Sequence, residues 1–306
     1  VPRRMSLPGM HWDRVRVAYQ YLLPQKAISH VVHWLTRRTR PIWLKNAAIV
    51  GFVRMFGVTL SEAVQNEAAA YPSFNAFFTR ALKLGARPMP GNPAAIACPV
   101  DGRISQLGDI EDTRLFQAKG HHYTVQALLG GGANHSEAFR GGRFVTIYLS
   151  PRDYHRIHMP TAGHLTATIQ LPGRLFSVSP LTTRVVPGLF ARNERVVCLF
   201  ETEVGPMALV LVGAINVGSI ETVWAGQMTP PYAQVRSEIQ HPTATQAGAV
   251  VLERGAEMGR FNMGSTVILL FGPDTMEWAQ DLNPGALVRL GQSIGSPIGP
   301  SGQNMS

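Results

Sequence analysis

Two stretches, Arg195-Val196-Val197-Cys198-Leu199-Phe200-Glu201 and the run opening Met207-Ala208-Leu209-Val210-Leu211-Val212 and continuing to Val217, flank the short segment Glu203-Val204-Gly205-Pro206. Runs of β-branched, aromatic and aliphatic residues on either side of a Gly-Pro turn predict a hairpin, and so short a connection joins antiparallel neighbours only. The same texture recurs outward from this pair, at Arg143 to Leu149, His164 to Leu171, Ala249 to Leu252 and Thr266 to Phe271, with few helical patterns between. Sequential strands with short connections favour an antiparallel sheet or sandwich over alternating βαβ units.

Towards the N-terminus the period changes. From Val15 to about Ala70 apolar residues recur at helical spacing, punctuated by Pro24 and Pro41, so three or four helices are expected. Thr59-Leu60-Ser61-Glu62 has the form of a capping box, and Ser73 is placed to cap a short helix through Phe74, Phe77, Phe78 and Leu82. Gly85 to Pro93, dense in Gly and Pro, then reads as a connecting loop. The fold class is therefore α+β, with N-terminal amphipathic helices (1–84) followed by a mainly antiparallel β-sheet or sandwich carrying the catalytic core (85–306). The tail from Gly291, rich in Gly, Ser and Pro, is expected to be loose, and there is no internal repeat.

At 306 residues and 45% hydrophobic content the chain buries a real core. Cys98 and Cys198, its only cysteines, are too few for a disulfide framework or a multi-thiolate zinc site, and fit a reducing compartment. Nearly all of the net charge of +9 lies in the first 45 residues, where Arg3, Arg4, Arg14, Arg16, Lys26, Arg37, Arg38, Arg40 and Lys45 face Asp13 alone. Nucleic acid and an anionic membrane both attract such an arm. Interleaved Trp12, Tyr19, Leu22, Val31, Trp34, Leu35, Ile42 and Trp43 favour the membrane, because apolar anchors add to interfacial binding whereas phosphate contacts need only charge. No apolar run reaches the ~18 to 20 residues that span a bilayer, and no signal-peptide order is present. The expectation is a peripheral protein on the cytoplasmic face of the cell membrane, with no nucleic-acid partner.

Three stretches carry reactive side chains: Asp101-Gly102, the segment Ser150-Pro151-Arg152-Asp153-Tyr154-His155-Arg156-Ile157-His158, and Gly264-Ser265-Thr266 just ahead of Val267-Ile268-Leu269-Leu270. Each has a plain structural reading. Asp-Gly forms turns, Gly-Ser-Thr enters strands, and His-x-x-His occurs on surfaces or as half a metal site. No clear third and fourth ligand lies nearby, since His121 and His122 are adjacent and diverge. Serine, histidine and aspartate together suggest nucleophilic catalysis.

Taken together these stretches resemble phosphatidylserine decarboxylase, over about Tyr19 to Gly291. The resemblance implies that Asp101, His158 and Ser265 form a maturation triad, with the aspartate orienting the histidine base. Ser265 would attack the Gly264 carbonyl and shift the acyl group from nitrogen to oxygen. Loss of the serine α-proton would expel the ester, and hydrolysis of the resulting dehydroalanine would release ammonia and leave a pyruvoyl group. The products would be a long chain (1–264) and a short chain (265–306) that remain together as a heterodimer, with a homodimer of these left open. The covalent pyruvoyl cofactor would form a Schiff base with the amine of phosphatidylserine, giving phosphatidylethanolamine and carbon dioxide, with His155 in proton transfer and no metal. Met263 stands where many bacterial relatives have leucine, a tolerated exchange.

Phe190 to Arg195 and Gly218 to Gly226 also resemble the family. Arg192 or Arg195 is suited to a carboxylate or phosphate, or else is simply solvated; Leu175 to Val178 lines a lipid pocket or packs in the core. Three rival readings use the same residues. A Ser-His-Asp hydrolase acting on lipids keeps Ser265 within one intact chain, a metal-dependent enzyme is inhibited by chelators, and a non-catalytic lipid-binding module binds vesicles without releasing carbon dioxide.

Overall fold

The structure, a computed structural model, describes residues 9–118, 120–131, 133–215, 219–263 and 265–298. The expected hairpin is present: Arg195–Thr202 and Gly205–Val212 pair antiparallel across the turn residues Glu203 and Val204. Gly205 has φ +98°, and a Cβ there would lie 2.9 Å from the Thr275 side chain, so the turn needs glycine.

These two strands sit near the middle of a nine-stranded antiparallel sheet. Across it run Ser237–Gln240, Gly163–Leu171, Arg195–Thr202, Gly205–Val212, Ser265–Phe271, Arg143–Leu149, Gly102–Asp109 and Leu287–Val288, with Val251–Leu252 also pairing with Gly163–Leu171. Successive strand residues point to opposite faces, and both faces are apolar here. Val267, Leu269 and Phe271 join one buried cluster, and Ile268 and Leu270 the other. Each fully buried side chain of this size contributes roughly 1.5–3 kcal/mol, so both faces must be covered. A second sheet, Gly226–Thr229, Ile220–Thr222, Glu257–Phe261 and Arg156–His158, covers the first with Ile157, Ile220, Met258 and Phe261. The short helices Val125–Leu129, Pro180–Val185 and Leu189–Arg192 cover the second.

Four helices precede the sheet: α1 (Gly9–Ala18), α2 (Gln25–Thr36), α3 (Ile42–Phe56) and α4 (Phe74–Phe78). Pro24 and Pro41 stand at the N-caps of α2 and α3, and Gly57 ends α3 in the left-handed conformation. Ser73 caps α4, its Oγ accepting from the Ala76 amide at 3.1 Å. Three expectations are corrected. The tail from Gly291 is not loose throughout, because Ser293–Pro297 is a strand paired with both Ile96–Ala97 and Met276–Trp278, with Ile294 buried. Thr59 to Glu62 starts no helix, because the Ser61 carbonyl accepts from Lys83 and the Glu62 carboxylate holds Arg87. α4 ends at Phe78, four residues short of Leu82, whose bridge to Ala63 takes the chain into extended structure.

α2 is tied to the β-rich body by polar contacts. Gln20 and Gln25 accept from the Ser177 and Leu175 amides, and Lys26 lies 3.4 Å from the buried Glu194 carboxylate. α3 and α4 form a third cluster with Ile49, Phe77 and Phe78, against which Met263 packs. The segment leading into Ser265–Phe271 is thus held between the second sheet and the N-terminal helices.

Candidate active site

Ser265 opens the central strand, its backbone opposite Leu149. Gly264 and the Ser265 side chain lie outside the described residues. The approach to them is well defined: the Phe261 amide donates to the His155 carbonyl at 3.0 Å, Asn262 is buried, and Met263 has φ +126°. A methionine at that angle is strained, since its Cβ crowds the backbone in a region suited to glycine.

His155 is fully buried, its ring 4.1 Å from that of Phe78. Its Nδ1 sits 2.8 Å from the Asp153 carbonyl. A carbonyl only accepts, so Nδ1 carries the proton and Nε2 keeps a free lone pair. That Nε2 is buried with no hydrogen-bond partner among the described residues, and the His155 backbone holds the segment that leads to Ser265. Burial pushes the imidazole pKa down to about 3, with the Arg80 guanidinium a minor contributor.

A pH effect follows from that shift. An unfolded histidine takes up a proton near pH 6.5 and buried His155 does not, so stability is full above pH 6.5 and declines as pH falls towards 3. In chemical denaturation of uncut protein, His155→Gln should flatten the stability curve between pH 6.5 and 5 by up to about 1.4 kcal/mol per pH unit. Parallel curves for the two proteins would show that His155 titrates alike folded and unfolded.

His158 occupies a different setting, at the end of the strand Arg156–His158 that follows His155. Its Nδ1 donates to the Gly255 carbonyl at 2.7 Å, and its Nε2 accepts from the Tyr154 hydroxyl at 3.1 Å. Burial lowers its pKa, so it too is a neutral base with its lone pair on Nε2. The aspartate expected to orient it is engaged elsewhere. Asp101 accepts from Arg87 Nε at 2.9 Å and Nη2 at 2.6 Å, and from the Leu290 amide at 2.8 Å. Arg87 also holds Glu62 at 2.9 Å. Orientation of His158 thus falls to a backbone carbonyl, and Asp101 acts on it only through space, raising its pKa slightly. Asp-Gly is no hairpin turn here: it bends into Gly102–Asp109, where a Cβ on Gly102 would lie 2.6 Å from the Tyr148 carbonyl oxygen.

Two cavities border these groups. One, about 230 Å³, is lined by Arg80, Arg87, Asp101, Arg152 and Tyr154. The other, about 710 Å³, is apolar, lined by Trp34, Leu44, Phe52, Phe74 and Met263 together with Arg38, Arg40 and Lys45. It touches both the N-terminal helices and the residue two before Ser265.

Other sequence candidates find structural roles. Arg195 is buried and spends its donors on the carbonyls of Ala127, Leu128, Ala191 and Asn193. Arg192 lies over the rings of Tyr21 and Phe176. Leu175, Phe176 and Val178 are buried, Phe176 and Val178 in the core cluster beneath the helical layer, so they pack rather than line a lipid pocket. His155 and His158 face different partners and do not converge, and no group of three metal-ligating side chains occurs among the described residues. The sequence alone assigned no role to Tyr154, Arg87, Gly255 or Asn262; Arg87 and Asn262 act on partners distant in the chain and Gly255 through its backbone carbonyl, whereas Tyr154 reaches His158 only four residues on.

Comparison with known proteins gives consistent matches. The family model for phosphatidylserine decarboxylase matches residues 74–296, and a second, described as PSD, matches residues 15–57. The chain is 53% identical over 284 residues to the phosphatidylserine decarboxylase proenzyme of Ectopseudomonas mendocina, covering 93% of this chain and 98% of that one. It is 56% identical over 280 residues to the proenzyme of Nitrosococcus oceani (92% and 90% covered) and 58% over 267 residues to that of Alkalilimnicola ehrlichii (87% and 91%).

Proposed function

The chain belongs to the phosphatidylserine decarboxylase family, and from that premise we propose that it decarboxylates phosphatidylserine at a membrane surface, using a pyruvoyl group formed from Ser265 when the chain cleaves itself before that residue. The observation that carries the reading is the junction ahead of Ser265. A strained Met263 lies there, lining an apolar cavity bounded by α2 and α3, and the Phe261 amide just before it holds the carbonyl of buried His155, whose Nε2 is unpartnered among the described residues. The relatives' description as proenzymes supports processing.

The residues present suit such a group. Its conjugated carbonyl would accept the substrate amine and take up the electron pair left when carbon dioxide departs. In maturation, His158, a neutral base with its lone pair on Nε2, is assigned the proton of the Ser265 hydroxyl. Tyr154 must first turn its hydroxyl away or pass the proton on. Asp101, fixed by Arg87 and Leu290, supplies a nearby negative charge that favours the imidazolium as it forms. In turnover, His155 Nε2, which carries a lone pair and no proton, would first take up the proton that the substrate ammonium gives up on becoming the attacking amine and then deliver it to the carbon that loses carbon dioxide, with the ring of Phe78 packed beside it. The apolar cavity would take the acyl end of the lipid, with Arg38 and Arg40 available to its phosphate; Lys45 already donates to the Ala69 and Tyr71 carbonyls.

Membrane binding is assigned to the exposed apolar side chains of the helical region. Leu22 is 88%, Met55 78%, Trp43 72% and Trp12 69% exposed, too many large side chains for an ordinary water-facing surface. No helix among the described residues is long and apolar enough to cross a bilayer. Trp43→Ser with Leu44→Ser should weaken sedimentation with anionic vesicles about tenfold or more, because each such side chain contributes roughly 1.5–3 kcal/mol when buried. Unchanged binding would move the contact off α3. The activity is tested with vesicles of phosphatidylserine labelled in the serine carboxyl: labelled carbon dioxide should be released, and its absence from correctly folded protein would rule the function out.

A further inference from the structure

Asn262 is 4% exposed and every polar group of its side chain is engaged. Its Nδ2 donates to Ser219 Oγ at 2.9 Å and to Glu221 Oε1 at 2.7 Å, its Oδ1 accepts from Asn75 Nδ2 at 3.0 Å, and its backbone amide donates to the Ser219 carbonyl at 2.9 Å. Asn75 belongs to α4, whereas Ser219 and Glu221 belong to the second sheet and its approach. The amide therefore pins one point of the chain to two separate layers, and a fully satisfied buried amide has no alternative orientation to adopt.

The next residue is Met263, with φ +126°. Such a backbone persists only where its surroundings over-determine it. Its side chain packs on the cluster of α3 and α4, and its amide side is fixed by Asn262. The network continues outward, since Glu221 Oε1 also accepts from Arg37 Nη2 at 2.8 Å. Arg37 is the C-cap of α2, the helix that lines the apolar cavity through Trp34 and Leu35. One carboxylate oxygen thus joins the end of a surface helix to the clamp two residues before Gly264.

We propose that Asn262 is a positioning residue for self-cleavage: its clamp holds the Met263 backbone in the strained conformation from which the Gly264–Ser265 bond is presented for attack, and Arg37, acting through Glu221, makes the seating of α2 a condition of maturation. The inference rests on the reading that the chain is cut before Ser265. The side chain of Asn262 is spent on Asn75, Ser219 and Glu221, so its effect falls on how often the junction is presented correctly.

The test follows the cleaved fraction over time after cell-free synthesis, with melting of each variant measured on a Ser265→Ala background so that folding is read on uncut chains. Losing a buried hydrogen bond at such a clamp should slow cleavage about tenfold for Asn262→Ala and about threefold for Asn75→Ala and Arg37→Ala. Glu221→Gln, which keeps the acceptor oxygen, should stay within about threefold of the unsubstituted chain. Met263→Gly should slow cleavage while leaving melting unchanged or raised, an outcome that a merely structural residue would not give. Wild-type cleavage rates in folded Asn262→Ala and Asn75→Ala overturn the proposal. If Asn262→Ala fails to fold, Asn75→Ala alone decides, because it leaves the bonds to the second sheet in place. Should the unsubstituted chain itself remain uncut, the cleavage reading fails, and that is visible before any variant is compared.

Discussion

Ser265→Ala is expected to leave a single 33.4 kDa polypeptide that folds normally and releases no carbon dioxide above background. The argument is one of electron flow. Breaking the bond to the carboxylate leaves an electron pair on the substrate carbon, and no side chain encoded here offers a conjugated carbonyl to receive it. Removing the hydroxyl removes both the nucleophile that cuts the chain and the precursor of that carbonyl, so the loss should exceed about 10⁴-fold, or more than 5 kcal/mol of barrier. The fold should survive, because Val267 to Phe271 carry the packing of this central strand. A lipid hydrolase would also lose activity on this change, but its parent would already be uncut. Substantial decarboxylation by Ser265→Ala would contradict the reading outright.

His158→Ala is expected to give the second largest effect, on processing rather than turnover. Its Nδ1–H is committed to the Gly255 carbonyl, which leaves Nε2 as the basic atom, accepting among the described residues from the Tyr154 hydroxyl. Loss of a positioned general base typically costs ~10²–10⁴-fold, so uncut chain should accumulate and a gel of freshly made protein should show one band where the parent shows two. His158→Gln distinguishes chemistry from packing: it fills similar space and still hydrogen-bonds but does not take up a proton, so it should fail as badly. If either variant matures at the parental rate, His158 is not the base. His155→Gln should differ, cutting at a reduced but measurable rate while turnover per cut chain falls, since its Nε2 is assigned to the substrate.

Much of this architecture was legible in the sequence where the chain repeats itself strongly. Arg195 to Glu201, Met207 onward and Thr266 to Phe271 read as strands because buried central strands are long and apolar, and Gly205-Pro206 marked their turn. The second sheet was not legible. Ile220–Thr222 and Arg156–His158 are three residues long, too short to show a period of two. Thr59 to Glu62 failed for a different reason: Glu62 looks like a capping residue locally, yet a distant arginine holds it. In the proposed site, Asp101, His155, His158 and Ser265 were named through the family resemblance, and their environments were not legible. A Gly255 carbonyl and an Arg87 guanidinium become partners only through tertiary structure, the Tyr154 hydroxyl meets His158 four residues on, and no spacing in one sequence links Arg37 to Glu221.

Position also supports the separate roles proposed for two histidines that the sequence presents as a pair. His155 is sealed behind Phe78 with a free lone pair turned inward, whereas His158 keeps company with a tyrosine hydroxyl and the field of Asp101. The first suits a proton transfer that must exclude water, and the second suits a base that becomes charged in passing.

Intact-mass measurement of freshly purified, unsubstituted protein bears most directly on the central claim. It should show two polypeptides corresponding to residues 1–264 and 265–306, the smaller lighter by one ammonia than its encoded sequence and resistant to sequencing from its N-terminus. A single full-length mass in a preparation that is fully active on phosphatidylserine would contradict the account.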